Sequence, residues 1–181
     1  MARLSFYGDF VVRHVSNLEI DGLLGQKIHS SDFNVINFEA PVQSSNPPCL
    51  KFGSSVLQDV CSPNWLSQND FNVFSLANNH IMDFGEKAAR ETEATLGHER
   101  CVGIGVGKEA YKPLLLEREG VKVAILALAE LQFGMIHDSF TQNEEYGCAW
   151  LNHPRVNRLV RETKKKVDFL ITEPTLKRGI F

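Results

Sequence analysis

Three polar clusters stand directly behind apolar runs of this chain: Gly8-Asp9, Asn37-Phe38-Glu39 and Asn78-Asn79-His80. A protein core has no use for such side chains, whereas a site at the ends of strands has. Two carboxylates (Asp9, Glu39), an amide oxygen (Asn79) and an imidazole (His80) suit a hard or borderline divalent cation such as Mn²⁺, Mg²⁺, Fe²⁺ or Zn²⁺. A pair of such ions polarises a phosphoryl or carbonyl oxygen and supplies hydroxide near neutral pH. His80 is then the natural general acid for a leaving group. Each cluster also has a plainer reading. Gly-Asp behind a strand is ordinary turn chemistry, and Asn78-Asn79-His80 could be a tight turn with Asp83 capping the next helix.

For these clusters to converge, parallel strands must lie side by side with their carboxyl ends together, as in α/β proteins. The pattern is of that kind, with short apolar runs alternating with amphipathic stretches. Strands are predicted at residues 3–7, 33–38, 71–76, 101–104 and 167–171. A hairpin is predicted at 114–118 and 121–128, joined at Glu119-Gly120. One helix is predicted at 16–29, with Leu18, Leu23, Leu24 and Ile28 on one face. A second opens at Ser62-Pro63 with Ser62 as its cap, and a third runs over 84–96 between Asp83 and Gly97. A fourth begins near His153-Pro154. Residues 43–55, rich in Ser, Pro and Gly, read as a long irregular loop, and 130–150 as another.

Composition narrows the remaining choices. The chain is 43% hydrophobic and 23% charged, ordinary for a soluble globular domain. Its net charge of −3 and the lack of a large basic block argue against a nucleic-acid partner. Lys164-Lys165-Lys166 reads as the complement of a helix dipole. No integral membrane segment is expected, since nowhere do ~18 apolar residues run together, and no secretory signal precedes the first strand. Cys49, Cys61, Cys101 and Cys148 are scattered without a C-x-x-C pair, which points to buried or unremarkable thiols and a reducing, cytoplasmic compartment; localisation is otherwise open. Residues 103–107 lack the Gly-Lys-Ser/Thr ending of a phosphate-binding loop. His14, His29 and His98 fall away from the strand ends, while His137, beside Asp138, lies in a loop that could approach the cleft.

Taken in order, Gly8-Asp9, Asn37-Phe38-Glu39-Ala40-Pro41 and the stretch from Ser75 through Asn78-Asn79-His80 and Asp83 to Gly85 resemble successive signatures of the bacterial capsule-synthesis (CapA, poly-γ-glutamate) family: G-D, N-L-E-x-P and A-N-N-H-x-x-D-x-G. The resemblance continues through Thr92 and Leu96, Gly103-Ile104-Gly105, Ala110-Tyr111-Lys112-Pro113 and residues 121–128. It implies an α/β fold similar to the calcineurin-like metallophosphoesterases, a sandwich of mixed sheets flanked by helices. It implies further that Asp9, Glu39 and Asn79 ligate one or two divalent metal ions, that His80 is the acid, and that Asn78 and Asp83 hold the loop around them. The function implied is capsule polymer (poly-γ-glutamate) biosynthesis through a metal-dependent phosphoesterase- or hydrolase-like site. The substrate would be a polymer or phosphoester, and other capsule-synthesis proteins would be partners.

The resemblance breaks at the end of the chain. After its last strand the family shows a His-Trp-Gly-x-Glu type motif, whereas here Thr172-Glu173-Pro174-Thr175 opens the last ten residues and no His follows His153. The expectation is a domain over residues 1–171, incomplete at its C-terminus, with an atypical tail over 172–181 left by a truncation or an altered reading frame. Missing ligands weaken metal binding, and Glu173 is a minor candidate to substitute for one. Missing strands leave an unpaired sheet edge through which the chain could self-associate. The alternative to an enzyme is therefore a non-catalytic remnant that holds no metal and acts only in binding or as a scaffold.

Overall fold

A computed structural model describes residues 2–42, 44–51, 53–130 and 145–175. In its first half β1 (Leu4–Phe10), α1 (Gly22–His29), β2 (Phe33–Phe38), α2 (Ser62–Gln68), β3 (Val73–Ser75), α3 (Gly85–Leu96) and β4 (Cys101–Val102) follow one another. The four strands pair in chain order and all run parallel. A helix between consecutive strands returns the chain to the same end of the sheet, so the carboxyl ends of β1, β2 and β3 come together. β1 is irregular between Phe6 and Asp9, and the shift sets Asp9 opposite Asn37 of β2. Asn37 in turn lies opposite Ser75 of β3.

The second half supplies β5 (Ile104–Val106), β6 (Leu114–Arg118), β7 (Val121–Ala129), β8 (Tyr146–Cys148), α4 (Arg155–Lys164) and β9 (Phe169–Thr175). β6 and β7 form an antiparallel hairpin whose turn residues Glu119 and Gly120 both have positive φ, 52° and 78°, as a tight hairpin requires. β9 adds to β7 in parallel, giving a mixed three-stranded sheet, while β5 and β8 make a separate antiparallel ribbon.

The two larger sheets share one core. Ile125, Ala127 and Ala129 of β7 belong to the same cluster as Val35, Ile36, Phe38, Phe74, Leu76 and Ala77 of the first sheet. Gly103, whose φ is 91°, sits tightly between them. A Cβ there would stand 2.6 Å from the Cβ of Ala77 and 2.9 Å from that of Ala127. Only glycine tolerates both the conformation and the contact. On the other side of the second sheet, α4 packs Val156, Leu159 and Val160 against Leu126, Leu128 and Leu170. The α/β sandwich of parallel and mixed sheets flanked by helices is thus the architecture observed.

Several boundaries differ from the sequence reading, each for a local reason. The helix expected at 16–29 starts at Gly22, because Asp21 accepts the Leu23 N–H at 2.9 Å and caps it there. Of its expected apolar face Ile28 is buried, while Leu23 and Leu24 are exposed. Ser62 lies inside α2 and does not cap it. Asp83 does not cap α3 either; its carboxylate is engaged elsewhere, as described below. The loop expected at 130–150 contains β8, too short to show a period, which forms by pairing with β5. β9 begins at Phe169 and continues past residue 171 through Glu173 and Thr175, so the start of the expected tail is built into the second sheet. All four cysteines are free; Cys148 is buried, while Cys49 and Cys61 are exposed. Among the described residues no helix is long and apolar enough to cross a membrane.

Candidate functional site

The register of the first sheet places Asp9, Asn37 and Ser75 in one row across β1, β2 and β3. Asn37 is buried, and its Nδ2 donates to Asp9 Oδ1 at 2.8 Å and also to Glu39 Oε2. One amide thus ties together the two carboxylates that the sequence singled out. Glu39 is itself buried, just past the end of β2. Burial, and then the charge of Asp9, push its carboxyl up to about 7, against the pull of His80, the Asn37 hydrogen bond and Lys51.

The turn after β3 is organised by Asn78, which is fully buried and uses its whole amide. Its Nδ2 donates to Asn37 Oδ1 at 3.1 Å and to the Phe38 carbonyl at 2.9 Å. Its Oδ1 accepts the backbone N–H of His80 at 3.0 Å and of Ile81 at 2.8 Å. Asn78 therefore links the β3 turn to the β2 end and fixes where His80 stands. His80 Nδ1 lies 2.8 Å from Asp83 Oδ2, and its side chain keeps 22% of its surface exposed. With Nδ1 engaged, Nε2 is the nitrogen left for a substrate.

Asp83 accepts two further donors, the Val56 N–H at 2.7 Å and the Lys51 ammonium. Lys51 arrives from the long loop before α2 with only 10% of its side chain exposed. It also reaches the Asn79 carbonyl at 3.2 Å and His80 Nδ1 at 3.0 Å. Nothing periodic in its Ser- and Pro-rich surroundings marks Lys51, which sequence reasoning missed. The structure brings in Asn79 through its backbone carbonyl; among the described residues its side-chain amide makes no hydrogen bond.

The second sheet contributes Glu173. Its register partner is Ala127, which faces the first sheet, so Glu173 on β9 faces the same way. Its Oε2 is buried without a hydrogen-bond partner among the described residues. Burial raises its pKa, partly offset by the nearby Ser75 hydroxyl, and the charge of Asp9 raises it further. Asp9 is therefore within electrostatic reach of carboxylates on both sheets.

The remaining histidines stand apart. His29 pairs with Asp70, both well exposed, and His98 with Glu93. His153 accepts the Arg155 N–H at 3.1 Å and so helps to start α4. His137 and Asp138 lie outside the described residues. Cys148 lies behind the site, its Sγ 3.5 Å from the carbonyls of Leu76 and Asn78; burial pushes its thiol up to about 12, so it is no nucleophile near neutral pH.

In donor chemistry the cluster fits a hard divalent cation: carboxylates at Asp9 and Glu39, an unpartnered buried oxygen at Glu173, and a free amide at Asn79. In the hydrogen-bonded arrangement described, no three His, Cys, Asp or Glu side chains among the described residues are drawn closely enough together to hold an ion. Beside these groups stands an imidazole oriented by a carboxylate, the arrangement of a general acid or base.

Residues 18–175 match the family model described as bacterial capsule synthesis protein PGA_cap. No curated protein matches the chain.

Proposed function

Because this chain belongs to the bacterial capsule synthesis protein family PGA_cap, we propose that it acts on a capsule polymer, or a phosphoester precursor of one, as a metal-dependent hydrolase. One observation carries the reading: the carboxylates of Asp9 and Glu39 share the Asn37 amide beside a His80 that Asp83 orients. In this reading Asp9, Glu39 and Asn79 hold the divalent ion, with Glu173 a further oxygen at hand. The ion, when bound, supplies Lewis-acid polarisation of the scissile group. His80 delivers a proton to the leaving oxygen or nitrogen from Nε2. Asp83 holds the ring, and Lys51 balances the charge of Asp83, so that the pair adds little net charge to the cleft.

A second reading is favoured by the same hydrogen bonds. Asn37 already satisfies Asp9 and Glu39, and Lys51 already answers Asp83, so the cluster is self-sufficient as a structural network. A chain built this way could serve capsule synthesis by binding alone. Elemental analysis after purification with Mn²⁺ separates the two, run on wild type and Glu39→Ala together. The hydrolase reading expects roughly one or two ions per chain, lost in the variant, and phosphoester hydrolysis abolished by His80→Ala. Wild type without retained metal would leave the binding reading in possession.

A further inference from the structure

The chain between β2 and α2, Ser- and Pro-rich and without a period, is nonetheless sewn to the residues that lead into α3. The Cys49 N–H donates to the Asp83 carbonyl at 2.8 Å, the Val56 N–H to Asp83 Oδ2 at 2.7 Å, and Asn46 Nδ2 to the Phe84 carbonyl at 3.4 Å. These bonds to two neighbouring residues fix the path of the segment, and Lys51 lies within it. Its side chain is 10% exposed, and that of its partner Asp83 1%. Burying an ammonium costs free energy that a surface lysine avoids, so its position calls for a reason.

Neutralising Asp83 needs one contact, and Lys51 makes three. An ammonium has three N–H groups, and three acceptors surround this one: Asp83 Oδ1, the Asn79 carbonyl at 3.2 Å and His80 Nδ1 at 3.0 Å. The Asn79 carbonyl and the His80 N–H belong to one planar peptide group. Lys51 holds its oxygen while Asn78 Oδ1 takes its hydrogen at 3.0 Å, so the plane leading into His80 is pinned on both sides. The ring is pinned as well, with Nδ1 3.0 Å from Lys51 Nζ and 2.8 Å from Asp83 Oδ2. Nδ1 carries at most one hydrogen, so it either donates to Asp83 or accepts from Lys51. Both states keep the ring at the same angle and leave Nε2 turned away from the pair.

We propose that Lys51 is a positioning residue for His80, a tethered cation that locks both the peptide before the ring and the ring itself. With its three N–H groups spent on Asp83, Asn79 and His80, it has none to offer a substrate. It therefore acts through His80 and not on the reacting atoms. That the ring so held serves hydrolysis rests on the function proposed above; that Lys51 holds it does not. Because the lock joins the segment before α2 to the turn after β3, loosening the one loosens the other.

The test reads the ammonium and the ring directly, by NMR on chelator-treated protein. In wild type, near pH 6 in the cold, the Lys51 ammonium hydrogens should exchange with water roughly tenfold or more slowly than those of the exposed Lys164 and Lys165. Imidazole spectra are taken near pH 8, with His80→Gln identifying the His80 signals. Lys51→Met keeps the bulk and removes the N–H groups. It should move the His80 ring signals more than those of His29, His98 and His153, which stand apart. Lys51→Ala with added propylammonium should return them to their wild-type positions, whereas tetramethylammonium, a cation without N–H, should not. Ring signals unmoved in Lys51→Met, or no preference for propylammonium over tetramethylammonium, would overturn the proposal. So would Lys51 hydrogens that exchange as fast as those of exposed lysines, a result that needs no variant to fold. Where phosphoester hydrolysis is found, Lys51→Met should lower kcat by about tenfold or more and leave KM within about twofold. A ring held by Lys51 in a protein that hydrolyses nothing would sink the hydrolase reading and leave this one standing.

Discussion

Glu39 carries a proton in the folded chain that the unfolded chain has already released. Its carboxyl moves from 4.5 to about 7 on folding, chiefly through burial and then Asp9. Between those values the native state binds more protons, so stability falls as pH rises through the window. Glu39→Gln keeps the shape and removes the titration. In chelator-treated protein the variant should lose this fall, and near pH 8 should exceed wild type by at most about 3 kcal/mol. Thermal melts of both from pH 4 to 8 check it, and superimposable curves would refute the assignment. At this scale the sequence showed Glu39, Asn78 and His80, which follow strands, because strand ends are local; Asp9, expected behind a strand ending at residue 7, lies inside a β1 that runs on to Phe10. Lys51 was not legible, since its contacts lie 28, 29 and 32 residues away and only folding supplies them. The role expected of Asp83 as a helix cap failed for the same reason, because a cation and an imidazole outcompete the helix end.

Between β4 and β5, Gly103 is wedged between Ala77 beside the first sheet and Ala127 of the second. Gly103→Ala forces a positive φ on a Cβ-bearing residue and presses it between Ala77 and Ala127. The change should cost about 3 kcal/mol or more, read as a lower urea midpoint. Gly8→Ala is the control, for a Cβ there meets nothing within 4 Å and should change the midpoint little. Equal midpoints for the two variants would show that the sheets are not clamped at this position. The elements themselves were largely legible: β2 begins and ends where its apolar run does, and the β6–β7 hairpin turns at Glu119-Gly120. What escaped was structure made by partners. β8 exists by pairing with β5, and β9 is carried through Pro174 by its pairing with β7, neither of which periodicity can reveal.

The described residues form two sheets over a shared core, with a second apolar cluster under α4, and the shared core predicts a single unfolding event. Trp65 of α2 stacks on Phe10 of the first sheet at 5.8 Å, while Trp150 bridges to Ala129 of the second. Trp65→Phe and Trp150→Phe each leave one reporter, so their urea transitions, referred to far-UV signals of the same variants, should coincide in midpoint. Separate fluorescence and far-UV transitions in either variant would mean that the layers melt independently. The placement of Glu173 gives this two-layer design a mechanical side. Asp9 belongs to one layer and Glu173 to the other, and their charges already oppose each other. Ionising both acts as a wedge that strains the seam, whereas a proton kept on Glu173 removes it. The charge state of one carboxyl therefore also bears on how tightly the two halves of the molecule are fastened.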